Sequence, residues 1–275
     1  MLDAYVDGGG NFIDTADTYG NGTSESILGR WISARKNRDR IVIATKVGSR
    51  MGNDPNAQGL SRRHIMAEVE ASLKRLQIDV IDLYQAHRDD PTTPLEETMA
   101  AFNDLVQQGK VRYIGASNYS ATRLREALDV SAMHHYVRYE CLQPLYNLLD
   151  RGDYEGQLEA LCLQEGLGVI TYFSLARGFL SGKYRPGKEM PSSPRAKAIQ
   201  ERYMNERGWS ILEQLDRIAV THSATVAQVA LAWIMAQPGI TSAIASATSV
   251  EQVRDLLGSV NLRLSADELE MLNRG

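Results

Sequence analysis

Three apolar runs in this chain each end in a side chain suited to proton chemistry. They are FIDTADTYG (12–20), IVIATKVG (41–48) and IDLYQAH (81–87), and they deliver Asp14 and Tyr19, then Lys46, then His87. Reduction of a carbonyl needs hydride at carbon and a proton at oxygen, so the protein must hold a proton donor beside that oxygen. Tyrosine is a weak acid, with an ordinary pKa of about 10, and a neighbouring ammonium favours its ionised form. Lys46 would supply that ammonium to Tyr19. Asp14 would pair with Lys46, and His87 would orient the substrate oxygen or relay the proton. Each residue alone has a plainer reading: Asp14 as a turn cap, Tyr19 as a loop tyrosine before Gly20-Asn21-Gly22. Lys46 and His87 resist that reading, because each ends an apolar run where a polar group needs a partner. A divalent-metal site built from His87, Asp89, Asp90, Asp14 and Asp17 is the rival. Such sites usually bring more histidines to strand ends, whereas His64 and His222 fall in helical stretches and His134-His135 precede a strand.

The elements that must position these residues alternate as strand and helix, the pattern of an α/β fold with a parallel sheet. Seven strands are predicted, at 12–16, 41–47, 81–86, 112–116, 139–145, 168–173 and 241–246. Their short apolar runs lack clean alternation, as expected when both faces are covered. Residues 62–77 place Ile65, Val69, Leu73 and Leu76 on one helical face. Thr93-Pro94-Leu95-Glu96 predicts a capping box with proline in the first turn, ahead of a buried Met99, Phe102, Leu105 stripe and a stop at Gly109. Thr225 with Gln228, Ser249 with Gln252 and Ser265 with Glu268 repeat the capping signature. No low-complexity linker interrupts the order, so a single domain is expected. A (β/α)8 barrel needs eight strands, whereas this chain opens on a helical stretch at 1–6; the first strand is expected to be absent from this sequence.

One connection stands out. Residues 176–207 hold eight Lys or Arg against three Glu, in a chain of net charge −4. A basic loop at a barrel rim suits a phosphate-bearing ligand, with an ordinary solvated surface as the alternative. The net charge itself gives no global field for nucleic acid or an anionic membrane. Cys141 and Cys162 lack metal-like spacing and read as buried thiols of a reducing compartment. No apolar run reaches the roughly 18 residues of a membrane span, and MLDAYVDGGG carries no basic residue of a signal peptide. A cytoplasmic location is the expectation.

The segments DTADTYGNGTSESILGRW, ATKVG, SLKRLQIDVIDLYQAHRDDPTTPLEETMAAFNDLVQQGKVRYIGASNYS, QPLYNLLDR and GVITYFSLARGFLSGKY together resemble the aldo-keto reductase family, in the same order and over residues 2–273. The likeness is greatest to its bacterial and channel-β-subunit-like branches. The resemblance implies a (β/α)8 TIM barrel, with residues 1–275 forming one such domain that is short at its N-terminal end. It also implies an extended nicotinamide dinucleotide, NADP (as NADPH) with NAD as the alternative, bound without a GxGxxG motif, and a small-molecule carbonyl substrate. Neither nucleic acid nor membrane is implied as a partner, and the protein would be a monomer or homo-oligomer. The family's tetrad falls on Asp14, Tyr19, Lys46 and His87. Its nicotinamide contacts fall on Ser117, Asn118 and Gln143, and its stacking aromatic on Tyr172. The pyrophosphate loop falls on Ser174, Leu175, Gly178 and Lys183, and the adenosine end on Ser246, Ala247, Thr248 and Gln252. Phe173-Ser174 stands where Ser-Pro is more usual, Arg254 is the one basic residue of the adenosine segment, and Leu256 replaces a common Asn. A dinucleotide-binding regulatory protein, or a catalytically impaired one, is the alternative function. The loops at 49–60 and 176–207 are expected to wall the substrate pocket.

Overall fold

The computed structural model describes residues 1–54, 57–191 and 195–275. The predicted pocket loops therefore contain five residues, Pro55, Asn56, Ser192, Ser193 and Pro194, that lie outside the described ones. The chain divides into two compact units, Asn11–Gln143 and Met1–Gly10 with Pro144–Gly275. The helix α1 (Leu2–Asp7) opens the chain within the second of these units.

The unit Asn11–Gln143 alternates β1 (Phe12–Asp14), α2 (Thr23–Arg35), β2 (Val42–Val47), α3 (Arg62–Leu76), β3 (Ile81–Ala86), α4 (Leu95–Gln107), β4 (Val111–Ser117), α5 (Ala121–His134) and β5 (Tyr139–Gln143). The five strands pair in parallel in chain order. Every residue of β3 is buried, as is all of β2 after Val42, which is why these strands read as unbroken apolar runs. On α3 the stripe Ile65, Val69, Leu73 and Leu76 faces inward, and Ser61 Oγ accepts the His64 amide as its cap. Helix α2 reaches α3 through Gly29, where a Cβ would stand 2.3 Å from the Arg75 carbonyl oxygen; only glycine permits that approach.

The capping box expected at Thr93 does not form. The helix α4 starts one residue later, with Pro94 itself at the N-cap and no side-chain cap. The Thr93 hydroxyl is turned towards Asp90, donating to Oδ2 at 2.7 Å, a charge-assisted bond.

The second unit continues with α6 (Gln157–Glu165), β6 (Gly168–Thr171), α7 (Ala196–Tyr203), α8 (Glu206–His222), α9 (Val226–Met235), β7 (Ile240–Ala243), α10 (Val250–Gly258) and α11 (Ala266–Asn273). Strands β6 and β7 pair in parallel. Trp233 anchors the core, stacked on Tyr146 at 5.4 Å with its indole N–H given to Asn273 Oδ1 at 2.9 Å. The full reciprocal capping box forms at Thr225/Gln228 and Ser265/Glu268. At Ser249 only half of it forms: Ser249 Oγ accepts the Gln252 amide, but the Gln252 side chain takes the Thr248 N–H and hydroxyl at 2.8 and 3.1 Å. The connection expected as a long loop at 176–207 is partly ordered, with a 3-10 segment (Ala176–Ser181) and α7. Among the described residues no single helix is long and apolar enough to cross a membrane.

Five of the observed strands are shorter than expected, whereas β3 matches its expected bounds and β4 is longer, at Val111–Ser117. Backbone bonds nevertheless carry the first ladder on, from Thr15 N to Ala44 O and from Asp17 N to Lys46 O. The strand β5 stops at Gln143 because Pro144 has no N–H for the ladder; Leu145 then forms an isolated parallel bridge to Tyr172.

Candidate active site

Parallel strands point their C-terminal ends the same way, so residues at those ends converge. Asp14 ends β1, Lys46 stands one residue before the end of β2, His87 follows β3, Ser117 ends β4 and Gln143 ends β5. Lys46 is 0% exposed. Its ammonium donates to both Asp14 oxygens at 2.7 and 2.6 Å and to the Thr15 carbonyl at 2.8 Å. A buried charge is tolerable only with such partners. Tyr19 Oη lies 3.5 Å from the same nitrogen. Gln143 Nε2 donates to Asp14 Oδ1 at 2.9 Å, which fixes the carboxylate from its other side.

His87 stands edge-on to Tyr19, with ring centroids 5.9 Å apart and planes at 79°. Its Nδ1 is 3.2 Å from Ser49 Oγ. Burial, reinforced by the positive charges of Lys46 and Arg88, pushes its pKa down to about 4. The imidazole is therefore neutral at neutral pH, with Nδ1 tied to Ser49 and the opposite edge able to hydrogen-bond an oxygen. Ser117 Oγ donates to the Gln143 carbonyl at 2.8 Å, and Asn118 Nδ2 donates to the His87 carbonyl at 2.9 Å. Ser117, Asn118 and Gln143 thus join the Asp14, Tyr19, Lys46 and His87 group in one unit. Tyr19, at 40% exposed, and Asn118 are the exposed members of the group.

The carboxylates of the rival metal reading are turned to other work. Asp89 takes two hydrogen bonds from the Arg123 guanidinium, at 2.9 and 3.0 Å. Asp90 accepts from the Leu60 and Thr92 amides and from the Thr92 and Thr93 hydroxyls. Against a burial that pushes its pKa up, those bonds hold it down at about 2.

A second polar cluster lies behind the first and escaped sequence reasoning. Asp17, Glu25 and Glu68 are all buried. Glu25 accepts from Thr45 Oγ1 and from Arg75 Nε, both at 2.6 Å, and Arg75 also bonds Glu68 and Ser72. Asp17 has no cation of its own. One carboxyl oxygen takes the Thr18 amide at 2.5 Å, and the other has no partner among the described residues. Burial first, and then the nearby Glu68 and Glu25 charges, raise its pKa to about 8, so it is a neutral acid at neutral pH. Ser49 also went unmarked in the sequence; its signal is its place directly after Gly48 at the end of an apolar strand.

The remaining expected residues lie in the second unit. Ser174 is buried, and its hydroxyl donates to the Thr171 carbonyl at 3.1 Å. The Leu175 carbonyl accepts the Gly178 and Leu180 amides. Phe173, Ala176, Arg177 and Gly178 all have positive φ. The Ala176 and Gly178 amides are tied within this turn, to the Phe173 and Leu175 carbonyls at 2.7 and 2.8 Å. The Lys183 ammonium lies 3.9 Å from where a Gly178 Cβ would be. Tyr172 and Phe173 meet edge-on at 5.1 Å. Ser246 and Thr248 are exposed before α10, with Ala247 between them, and Gln252 is tied to Thr248.

Parallel strands alternating with helices, and an enclosed lysine–aspartate pair beside a tyrosine and a neutral histidine, are the makings of a barrel-type oxidoreductase. The chain belongs to the aldo/keto reductase family, whose sequence profile matches residues 1–274. Its fold is accordingly that of the (β/α)8 barrel, with seven parallel strands among the described residues. A probable voltage-gated potassium channel subunit beta from Arabidopsis thaliana is 36% identical over 270 residues, covering 95% of this chain and 81% of that protein. A putative voltage-gated potassium channel subunit beta from Schizosaccharomyces pombe is 36% identical over 252 residues, 88% of this chain and 73% of that one. The uncharacterized oxidoreductase YrpG of Bacillus subtilis is 35% identical over 286 residues, 99% of this chain and 85% of its own. Membership supports oxidoreductase activity on carbonyl groups, with a nicotinamide cofactor and a small-molecule substrate.

Proposed function

We propose that this protein reduces an aldehyde or ketone to an alcohol at the expense of NADPH, with Tyr19 as the proton donor. The observation that carries the reading is the enclosed Lys46 ammonium, held by Asp14 and standing 3.5 Å from Tyr19 Oη. A permanent positive charge there stabilises the negative charge that develops on the phenol oxygen as its proton leaves. Asp14 keeps the lysine charged and oriented, and Gln143 keeps Asp14 in place. Neutral His87 can donate a hydrogen bond to the carbonyl oxygen from the edge that Ser49 leaves open.

The residues present fit the dinucleotide that the family implies. With its Nε2 committed to Asp14, Gln143 offers its side-chain oxygen to a carboxamide N–H2 beside Ser117 and Asn118. Lys183, beside the positive-φ turn at Phe173–Gly178, suits a pyrophosphate by its charge. Tyr172 would stack on the nicotinamide, and Ser246, Ala247, Thr248 and Gln252 would take the adenosine end. When bound, the cofactor supplies the hydride. The choice of NADPH over NADH follows the family; Arg254, exposed on α10, is the residue of this chain placed to favour a 2′-phosphate. The match over residues 1–274 favours the whole chain acting as one barrel domain, and we place it in the cytoplasm.

Tyr19→Phe tests the reading. Turnover should fall about a thousandfold, within the roughly 10²–10⁴-fold usual for loss of one general acid, while NADPH quenching of protein fluorescence persists. Turnover near that of the parent chain would overturn the assignment. The names of the plant and yeast relatives favour a second reading, a dinucleotide-binding regulatory subunit. NADPH binding without turnover on a broad aldehyde and ketone panel would select it.

A further inference from the structure

The unit Asn11–Gln143 carries a cleft of about 790 Å³ whose lining includes His87, Ser49 and Thr18 together with Arg50, Arg63 and Arg88. The cleft therefore opens onto the edge of the proton-transfer group. Its three guanidinium groups are unbalanced. Arg63 and Arg88 have no ion-pair partner among the described residues, and Arg50 gives one hydrogen bond to the Asn53 carbonyl at 3.3 Å. The two carboxylates in the lining offset this only in part, since Asp90 keeps its charge but three guanidinium groups face it. Asp89 is held by Arg123, which stands outside the lining, and Asp90 is saturated by two amides and two hydroxyls. The positive excess is local, since the chain as a whole is at −4.

Guanidinium groups are planar forks of N–H donors that match carboxylate and phosphate oxygens. A cleft lined by one sign of charge also concentrates ligands of the other sign. All three arginines are exposed, so nothing prevents a ligand from reaching them. We propose that the preferred substrates are carbonyl compounds bearing an anionic group, a carboxylate or a phosphate, which Arg88, Arg63 and Arg50 engage while the carbonyl lies at His87 and Tyr19. This inference rests on the carbonyl-reductase reading. In the reaction the carbonyl carbon gains the hydride of NADPH and its oxygen gains the Tyr19 proton. An alcohol and NADP⁺ result, and the anionic group passes through unchanged.

The test compares kcat/KM for 4-carboxybenzaldehyde and 4-methylbenzaldehyde, which differ chiefly in charge. A parallel comparison of glyceraldehyde 3-phosphate with glyceraldehyde separates phosphate from carboxylate recognition. An exposed ion pair is worth a factor of roughly 1.4–5, so two or three together give a preference of about tenfold for the anionic member of a pair. The preference should fall towards one in Arg88→Gln and Arg63→Gln and in 0.5 M salt, as a ratio that divides out any effect on the chemistry itself. Equal values for both members of both pairs, or a preference that neither substitution changes, would overturn the proposal while leaving carbonyl reduction in place. Binding of terephthalate measured by calorimetry gives a readout without turnover. If no aldehyde is reduced but terephthalate binds, and Arg88→Gln abolishes that binding, the reductase reading fails and the anion site stands. If terephthalate does not bind and no aldehyde is reduced, both fall.

Discussion

Replacing Asp17 by Asn should stabilise the protein, and by more as the pH rises. Asp17 is buried beside Glu25 and Glu68 without a cation of its own, and its pKa is raised from 3.8 to about 8. The folded chain thus holds this proton more tightly than the unfolded chain. Stability from this group is fully present below about pH 4, where both states are protonated, and is lost progressively as pH rises towards 8. At about 1.36 kcal/mol per pH unit, the loss is at most roughly 4 kcal/mol by pH 7 and roughly 6 kcal/mol above pH 8. Relaxation around the buried acid should leave about half of that. Asn keeps an oxygen for the Thr18 amide and cannot ionise. Urea unfolding followed by circular dichroism, at several pH values from 4.5 to 8, should show the variant and parent diverging by about 2 kcal/mol or more at the alkaline end. A difference that stays constant with pH would refute the argument, whatever its sign. The comparison between the two chains is needed because His87 and His64, both with lowered pKa values, add the opposite pH dependence to each alike.

Lys46→Met should abolish turnover and also destabilise the fold by about 3–5 kcal/mol, because it leaves Asp14 buried without its cation; a thermal melt separates this from Tyr19→Phe, which should melt like the parent. His87, with its pKa at about 4, should leave kcat/KM free of a histidine inflection between pH 5.5 and 7.5. Protonation, and the loss of stability that goes with it, should set in only as pH falls below the ordinary histidine value of 6.5 towards 4, and an NMR titration of the His87 ring checks this directly.

The Asp14, Tyr19, Lys46 and His87 group was legible because a lysine in the buried run of a strand demands an explanation that composition alone cannot supply. The strand and helix order was legible for the related reason that β2 and β3 are buried on both faces and read as unbroken apolar runs. Asp17 was not legible. In DTADTYG it is chemically indistinguishable from Asp14, and only the fold gives one of them a lysine and the other none. Glu25 and Glu68 went unmarked, because their shared partner, Arg75, is fifty and seven residues away. Thr93 misled because the pattern of a cap does not show that its hydroxyl is oriented by Asp90. The helix α7 was hidden because only Ile199 and Tyr203 of its eight residues are buried, too few to leave a periodic trace.

The contrast in exposure between Tyr19 and Lys46 divides the site into a wet half and a dry half. The dry half, Lys46 with Asp14 and Gln143, is clamped among strand ends and needs no traffic with bulk water. The wet half sits on a loop, so under the proposed mechanism a Tyr19 phenolate would recover its proton directly from solvent, without an internal relay. Selection on substrate range can then act on the loops that carry Arg50 and Arg88 without touching the strands that hold the charge. A single ionic core can in this way serve many different carbonyl compounds while the surroundings of the phenol are rewritten.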